Sequence, residues 1–409
     1  MIAVLTRIFG MHNLEMAEDV VQDAFFKAIQ LWKFEVPANP AGWLMQTARN
    51  KAIDIVRRQN YTSRYSAEVA RQLATETENT IQQFFSDHEI SDSQLRMIFA
   101  CCHPSLNQED QVALTLKTVS GFGVAEIARA LLTNEAAIQK RLYRAKQYLK
   151  ENNTPLEIPA GTALYQRLET VYTVLYLLFN EGYNSLKADE LIRWDLCAEA
   201  MRLCKLLGES KAGDQPSTYA LLALMCLQAS RFNSRIDDSN SIILLEHQDR
   251  TKWDQQLIQI GYWYLNQSSK GEHLSVYHIE ASIAAEHCLA ATFSQTNWQH
   301  ILQLYNTLLE IKHTPVVMLN RAVVLCKCRQ ITTAIKDVLS IPGIDNLLQT
   351  QYIYSAVLGD MYLTLGDYIN AQRILALSLQ LTTSAAEKKL LGERLTVAQC
   401  AINKDTFTT

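Results

Sequence analysis

Two short segments of this sequence concentrate basic side chains, and the chemistry they offer is phosphate binding. Residues 43–64 contain five bases against one acid, and residues 126–150 contain six bases against two acids. Lys and Arg side chains on one helix face neutralise nucleic-acid phosphates, and some of them read base edges. Charge alone leaves open the alternative that each segment is a solvated helix face. The bases of the first segment are Arg49, Lys51, Arg57, Arg58 and Arg64.

An acidic stretch separates the two basic segments. Residues 65–110 carry eight acids and two bases, whereas the whole chain of 409 residues has a net charge of −4. A weakly acidic protein still binds nucleic acid where its positive charge is concentrated, so the net charge does not exclude such a partner. The charge pattern therefore predicts two basic modules joined by an acidic linker.

The composition favours helices throughout the chain. Only 14 Gly and 8 Pro are present, too few for the many tight turns of an all-β protein, while 48% of residues are hydrophobic. We therefore expect an all-α fold. No run of 18 apolar residues and no signal-peptide pattern occurs, which predicts a cytoplasmic protein without membrane contact. The nine Cys lack the paired spacing of a disulfide framework and fit a reducing compartment.

Two amphipathic helices would position the first basic segment. Over residues 17–32 apolar side chains recur every three or four positions, and we expect Phe25 and Ile29 to face inward with the rest of that stripe. The Pro37–Pro40 loop then breaks the chain. A second helix is predicted over residues 42–58, with its bases left toward solvent.

The second basic segment has the pattern of a helix-turn-helix motif. We expect a Ser91–Ser93 cap to start a helix that ends near residue 102, followed by helices over residues 110–119, 124–131 and 135–150. A short helix, a turn and a helix with outward bases is an arrangement that reads DNA. In the last helix the inward positions are Ile138, Leu142, Ala145 and Leu149, and the outward bases are Lys140, Arg141, Arg144 and Lys146.

Helical periodicity continues beyond a boundary marked by Pro155 and Pro159. Tyr352–Leu381 resembles a tetratricopeptide unit, because small residues recur where paired helices would touch and Gly366 lies at the turn between them. Asn320–Ser340 resembles a degenerate neighbour of this unit. The C-terminal half is therefore predicted to be a helical, repeat-like extension.

The sequence offers no enzyme chemistry. No phosphate-binding Gly loop, nucleophile elbow or paired-carboxylate motif is evident, so we predict no enzyme, no cofactor, no catalytic residue and no metal. Cys101 and Cys102 diverge by about 100° on a helix, which favours buried thiols over a metal site. Asp249–Trp253 suggests a catalytic cluster at first sight, but a helix-start network in which Asp249 caps or pairs is the favoured interpretation.

Several motifs together resemble the extracytoplasmic-function (ECF) sigma factors of bacterial RNA polymerase, in the subgroup with a long C-terminal tetratricopeptide-like extension. Ala17–Phe26 resembles region 2.2, the helix that binds the polymerase clamp. Trp43–Arg58 resembles the region 2.4 helix, and residues 110–150 are similar to region 4. Further motifs similar to those of the subgroup are Phe99–Pro104, Asn180–Tyr183, Gln248–Trp253 and Pro315–Ala322.

The resemblance implies roles for individual residues. The residues implied to bind core polymerase are Asp19, Gln22, Asp23 and Phe26. Those implied to bind the minus-ten element are Asn39, Arg49, Lys51, Arg57 and Arg58. Those implied to bind the minus-35 element are Lys140, Arg141, Arg144 and Lys146. For Phe26 a core position stays open as an alternative, and for Asn39 simple turn chemistry does.

The resemblance also implies a domain plan and a function. Region 2 would occupy residues 1–60, the acidic linker 61–92, region 4 residues 93–153 and the extension 160–409. The protein would bind core polymerase through its clamp and flap, direct initiation at promoter DNA, and regulate itself or hold a protein partner through the extension. Two alternatives do not involve polymerase: a helix-turn-helix transcription regulator and a helical-repeat scaffold.

Overall fold

A computed structural model describes residues 1–33, 35–61, 79–131, 133–183, 193–235, 237, 243–382 and 384–407. Within these ranges the regular secondary structure is helical and no strand occurs. The all-α prediction is therefore confirmed. The helices form two compact units, one of Met1–Glu181 with Lys205–Gly213 and one of Gly182–Cys204 with Asp214–Thr409.

The first unit contains eight labelled helices, and the second to the seventh follow the predicted order. Residues 79–84 add a further helical turn before the fourth. The helices are α1 (Ile2–Phe9), α2 (Leu14–Leu31), α3 (Pro40–Tyr61), α4 (Asp87–Cys101), α5 (Gln108–Thr118), α6 (Val124–Ala130), α7 (Glu135–Glu151) and α8 (Thr162–Tyr183, in this unit as far as Glu181).

The core of α1, α2 and α3 is built from small and branched side chains. Leu5, Val20, Ala48 and Ala52 lie in one buried cluster, so α2 and α3 pack closely along their apolar stripes. The predicted inward orientation of Phe25 and Ile29 is wrong, since both side chains are exposed. Alanines at the contact bring the helices close together, and the larger residues at the edge of the stripe remain outside.

The predicted start of the fourth helix is also wrong. α4 begins at Asp87 behind an extended Ser86, not at a Ser91–Ser93 cap. Ser91 and Ser93 instead lie inside the helix and donate hydrogen bonds to the carbonyls of Asp87 and Glu89 four residues earlier, at 3.1 and 2.7 Å. Serine hydroxyls at interior positions are satisfied in this way, which removes the need for a cap there.

Side-chain caps define the helix-turn-helix. Asn107 Oδ1 accepts from the backbone N–H of Asp110 at 2.8 Å to start α5, and Asn134 Oδ1 accepts from that of Ala137 at 2.8 Å to start α7. At the start of α6, the backbone N–H of Gly123 donates to the Glu126 carboxylate at 2.6 Å. Each cap satisfies a backbone or loop N–H that the helix itself leaves unpaired.

The helix that follows region 4 belongs to the same compact unit. Arg167 on α8 donates from Nη1 to the carbonyl of Phe99 at 2.6 Å, near the C-terminal end of α4. Cationic side chains stabilise helix C-termini because carbonyls there have no intrahelical donor. Part of the predicted extension is thus joined directly to the helix-turn-helix.

The second unit consists of antiparallel helix pairs. Its helices are α9 (Trp194–Gly208, in this unit as far as Cys204), α10 (Pro216–Ala229), α11 (Gln255–Ser268), α12 (Val276–Leu289), α13 (Trp298–Ile311), α14 (Pro315–Lys327), α15 (Ile331–Leu339), α16 (Ile344–Thr350), α17 (Tyr352–Leu365), α18 (Tyr368–Leu381) and α19 (Ala385–Phe407).

The segment predicted to resemble a repeat unit folds as two consecutive helices, α17 and α18. Gly366 ends α17 with φ of 87°, a left-handed conformation that favours glycine. A Cβ on Gly359 would lie 2.7 Å from Cγ of Leu375, so this glycine permits the close approach of the two helices. The degenerate neighbour is α14–α15, where Ala322 and Ala334 are completely buried.

Candidate nucleic-acid and protein interfaces

The outer face of α2 presents a continuous stripe of acidic, amide and aromatic side chains. Asp19, Gln22, Asp23 and Phe26 are all exposed, and Phe26 keeps 60% of its surface accessible. Their spacing of three and four residues aligns them over about 10 Å of helix. Phe26 therefore does not occupy the core position that the sequence left open.

One residue of this stripe is paired with a base on α3. Lys51 Nζ lies 3.1 Å from Oδ2 of Asp23, and both side chains are substantially exposed. The sequence assigned Asp23 to polymerase and Lys51 to DNA, so their contact was not foreseen. An exposed pair of this kind contributes about 0–1 kcal/mol and exchanges readily for another partner.

The remaining bases of α3 differ in accessibility. Arg57 and Arg58 near its C-terminal end are exposed. Arg49 is half-buried, and its Nε has no hydrogen-bond partner among the described residues. Trp43 packs edge-on against Trp32, with ring centroids 5.4 Å apart, which places it in the hydrophobic packing.

Asn39 starts α3. Its Oδ1 accepts from the backbone N–H of Gly42 at 2.9 Å, which is the turn chemistry that the sequence left open. The side chain is nevertheless exposed, and its amide nitrogen is not used by this cap. Base reading by that amide stays a prediction.

Three of the four outward bases on α7 are ion-paired. Arg141 contacts Glu109, and Arg144 Nη2 lies 3.0 Å from Oδ1 of the buried Asp110, so both bases are tied to α5. By contrast, Lys140 is exposed and has no ion pair with any residue that the structure describes. Among the four predicted outward bases, Lys140 is therefore the one whose charge has no acidic partner among the described residues.

The fourth base joins the two sigma-like segments. Lys146 Nζ lies 2.6 Å from Oε2 of Glu18 on α2, and both side chains are largely buried. On the other side of the unit, Arg7 of α1 lies 2.6 Å from Glu89 and 2.9 Å from Asp92 of α4. The region 2-like and region 4-like helices are thus held against each other.

A narrow cleft remains where α7 meets the start of α2. Its volume is about 240 Å³, and its walls include His12, Glu15, Leu142, Tyr143 and Lys146. The contact between the two segments is therefore incomplete and rests on few polar interactions.

Three exposed side chains beside the candidate interfaces were not predicted from the sequence to be interface residues. Phe25 and Ile29 are exposed beside Phe26, with Ile29 at 67%, and enlarge the apolar part of the α2 stripe. Tyr143 is 67% exposed on α7, one turn beyond Lys140. The three-residue spacing from Lys140 to Tyr143 could have predicted that both side chains lie on the same face of α7. The acidic partners of the α7 bases come from distant segments, so no local sequence pattern predicts them.

The two cysteines at the C-terminal end of α4 are buried. Burial raises the pKa of the Cys101 thiol to about 12, and the same effect raises that of Cys102. Cys101 Sγ lies 3.2 Å from the Thr118 hydroxyl, which fits a structural thiol packed between α4 and α5.

None of the helices in the described part of the chain combines the length and the apolar character that crossing a membrane requires.

Comparisons with known proteins agree with this architecture. Residues 1–62 match the family Sigma-70 region 2, residues 96–149 match Sigma-70 region 4, and residues 167–269 match a family of unknown function, DUF6596. An uncharacterized protein of Rhizobium meliloti is 34% identical over 384 residues, which cover 94% of this chain and 90% of that protein.

A second relative carries a functional name. The ECF RNA polymerase sigma factor BldN of Streptomyces coelicolor is 29% identical over 142 residues, which cover 32% of this chain and 49% of BldN. No solved structure matches the chain.

Two helical modules with the order and the motifs of sigma regions 2 and 4 define a transcription initiation factor. The chain belongs to the ECF-type sigma factors and carries a C-terminal extension. Its partners are therefore core RNA polymerase and promoter DNA. These sigma families are not enzyme families.

Proposed function

We propose that the α2 stripe is the core-polymerase contact of this sigma factor. The supporting observation is that Asp19, Gln22, Asp23 and Phe26 form one exposed face that combines acidic, amide and aromatic groups. Exposed aromatic side chains beside charges are typical of protein interfaces. Phe25 and Ile29 extend the same face.

We assign DNA contact to two further surfaces of the same unit. The exposed C-terminal end of α3, with Arg57 and Arg58, would hold phosphates near the minus-ten element together with Arg49 and Lys51. On α7, Lys140 and Tyr143 are the accessible residues of the minus-35 surface, and Arg141, Arg144 and Lys146 join it once their acidic partners are displaced.

The two assignments are separable by experiment in the full-length protein. Asp19→Lys should weaken core-polymerase binding at least tenfold, because the reversed charge lies on the proposed contact and breaks no ion pair of the described structure. Lys140→Gln should leave core binding intact and reduce run-off transcription from the gene's own upstream region. Glu157→Lys, an exposed charge reversal in the loop before α8, is the control.

Two outcomes would reject parts of the assignment. Core binding that is equally strong for Asp19→Lys and for the control would remove the α2 stripe from the interface. A protein that binds no core polymerase at all would support a transcription regulator of another kind or a helical scaffold.

We further propose that the extension regulates the sigma regions within the same chain and that the protein works in the cytoplasm. Support comes from α8, which belongs to the first unit and hydrogen-bonds to α4 through Arg167. A fragment of residues 1–213 contains every residue of the first unit and lacks most of the second. Transcription by this fragment and by the full chain should differ, and identical activity under all conditions would reject regulation in cis.

A further inference from the structure

Two arginines of the second unit flank one buried tryptophan. Arg231 lies just after α10, whereas Arg250 and Trp253 lie at either end of a 3-10 turn before α11. The guanidinium carbons of Arg231 and Arg250 lie 5.4 and 4.9 Å from the centroid of the Trp253 ring. Trp253 is only 3% exposed, so both cationic groups are held at the wall of the core.

Neither arginine has a carboxylate partner among the described residues. Arg250 Nη1 donates to the carbonyls of His287 and Ala290, each at 2.6 Å, and thereby caps the C-terminal end of α12. Arg231 makes no side-chain hydrogen bond with any described residue. Both arginines are partly withdrawn from solvent and have no counter-charge among the described residues, so the pair is electrostatically incomplete.

The acids that flank Arg250 in the sequence are occupied elsewhere. Asp249 Oδ1 accepts from the backbone N–H of Thr251 at 3.0 Å, which confirms its predicted capping role. Asp254 Oδ1 accepts from the backbone N–H groups of Gln256 and Leu257 at 2.9 and 3.0 Å and starts α11. Because both carboxylates cap backbone groups, they leave the positive charge of the arginines uncompensated.

Unpartnered polar atoms accumulate at the same place. Nε of Arg231, Nε of Arg250 and Nε1 of Trp253 are buried and have no hydrogen-bond partner in the part of the chain that the structure describes. All three are obligate donors. Each buried donor without an acceptor costs about 1–3 kcal/mol, and such groups are rare enough that a missing partner is the first explanation to test.

The field at this cluster is positive. The pKa of His287 is lowered to about 3, first by burial and then by the two guanidinium groups. His287 therefore stays neutral, and no described residue provides a hydrogen-bond partner for its Nδ1. The same ring forms part of the wall of a cavity of about 270 Å³. Its other lining residues include aromatic Phe293, Trp298 and Tyr305 and the charged Glu246, Lys327, Asp360 and Arg394.

We propose that Arg231, Arg250 and Trp253 form a binding site for a small oxyanion, the phosphoryl or carboxylate group of a metabolite. Guanidinium groups match the geometry of such anions and bind them with charge-assisted hydrogen bonds. A bound oxyanion would compensate the positive charge of the two guanidinium groups. Its oxygens would also accept hydrogen bonds from the buried N–H groups that have no partner among the described residues. The extension is then a ligand-binding module, independent of how region 2 and region 4 divide their roles.

Titration of the full-length protein tests the site without polymerase. Inorganic phosphate, phenyl phosphate and benzoate are added at constant ionic strength against chloride, and binding is followed by calorimetry and by the melting temperature. We expect saturable binding of at least one probe and a rise in melting temperature. Preference for phenyl phosphate over inorganic phosphate would identify an organic phosphate, and preference for benzoate a carboxylate.

Matched variants connect the binding to the cluster. Arg231→Gln should weaken binding at least tenfold, and Arg231→Lys should weaken it less because the charge is kept. Lys252→Gln removes one positive charge from an exposed neighbour of Arg250 and should bind like the wild type. In chloride buffer, Arg231→Gln should melt no lower than the wild type, since it relieves repulsion between two like charges.

Three results would overturn the proposal. The first is the absence of saturable binding with all three probes. The second is binding that Arg231→Gln and Arg231→Lys leave unchanged. The third is a large fall in the melting temperature of both Arg231 variants in chloride together with unaltered affinity, which would show that the arginine only supports Trp253.

Discussion

At the scale of single residues, the bases of α7 serve two purposes that experiment can separate. Arg144 pairs with Asp110, whose side chain is buried, whereas Lys140 has no ion pair among the described residues. Arg144→Ala should therefore lower the free energy of unfolding by about 1 kcal/mol, because Asp110 loses its counter-charge. Lys140→Ala should change it by less than about 0.5 kcal/mol. Urea unfolding of both variants measures the difference.

Both variants should also weaken promoter binding, Lys140→Ala by about tenfold. Equal stability of the two variants would show that the Arg144–Asp110 pair contributes nothing to the fold. This comparison matters because loss of DNA binding by Arg144→Ala alone does not distinguish a missing contact from a destabilised helix-turn-helix.

The buried thiols give a second prediction at residue scale. Burial raises the pKa of Cys101 to about 12, so this thiol keeps its proton in the folded protein at pH 8, whereas Cys400 is exposed. Iodoacetamide at pH 8 should label Cys400 in the native protein and Cys101 only after unfolding. Mass spectrometry of the digested protein identifies the labelled sites, and rapid native labelling of Cys101 would contradict its burial.

The same thiol makes stability dependent on pH in one direction. The folded pKa is raised above the unfolded value, so the unfolded chain loses its proton first as the pH increases. The contribution to stability is complete below about pH 8.5 and is lost progressively as the pH approaches 12. Cys101→Ser should reduce this alkaline slope in pH-dependent unfolding.

At the scale of helices, the α17–α18 hairpin depends on a glycine at its contact. Gly359→Ala places a Cβ 2.7 Å from Cγ of Leu375 and should destabilise the second unit by about 1–3 kcal/mol. Gly392→Ala on α19 meets nothing within 4 Å and should be neutral or stabilising by up to about 1 kcal/mol. Thermal unfolding of the two variants tests whether close helix packing, and not glycine content, determines stability.

Helices were the most predictable feature of this chain, and their exposed residues the least. Periodicity located α2, α3 and the helix-turn-helix to within a few residues, because each carries a complete apolar stripe. It placed Phe25 and Ile29 inward because they are apolar, although an interface residue and a core residue have the same local signature. The start of α4 was missed since Ser91 and Ser93 satisfy their hydroxyls inside a helix as well as at a cap.

Contacts between distant segments left no local signal. Lys51 pairs with Asp23, and Lys146 with Glu18, across 28 and 128 residues of sequence. Periodicity describes one helix at a time, so it cannot show which acid on another helix faces a given base. The lack of a counter-charge at Arg250 beside Trp253 was likewise not predictable, because acids precede and follow this arginine in the sequence.

At the scale of the first unit, its packing bears on the proposed division of DNA contacts between α3 and α7. In the structure Lys146 Nζ of α7 lies 2.6 Å from Oε2 of Glu18 on α2. Lys146 belongs to the proposed minus-35 surface, so this base reaches DNA only after the ion pair opens. We therefore propose that the two segments separate when the protein occupies a promoter on polymerase.

Separating α2 from α7 costs free energy, and the Lys146–Glu18 ion pair contributes part of that cost. When only the form with α2 and α7 separated binds core polymerase, the apparent dissociation constant equals the intrinsic dissociation constant divided by the fraction of protein in that form. Glu18→Gln removes the charge that holds Lys146 and should raise the affinity for core polymerase about fivefold, equivalent to about 1 kcal/mol. Glu15→Gln removes an exposed acid one turn earlier on α2, without an ion pair among the described residues, and should leave the affinity unchanged.

Small-angle scattering checks the physical cause of this change. Glu18→Gln should increase the radius of gyration of the free protein, and added salt should do the same to the wild type, because both weaken the contact between α2 and α7. Tighter core binding without any expansion would mean that Glu18 repels polymerase directly. Unchanged affinity together with unchanged size would show that the Lys146–Glu18 pair does not hold the two sigma segments together.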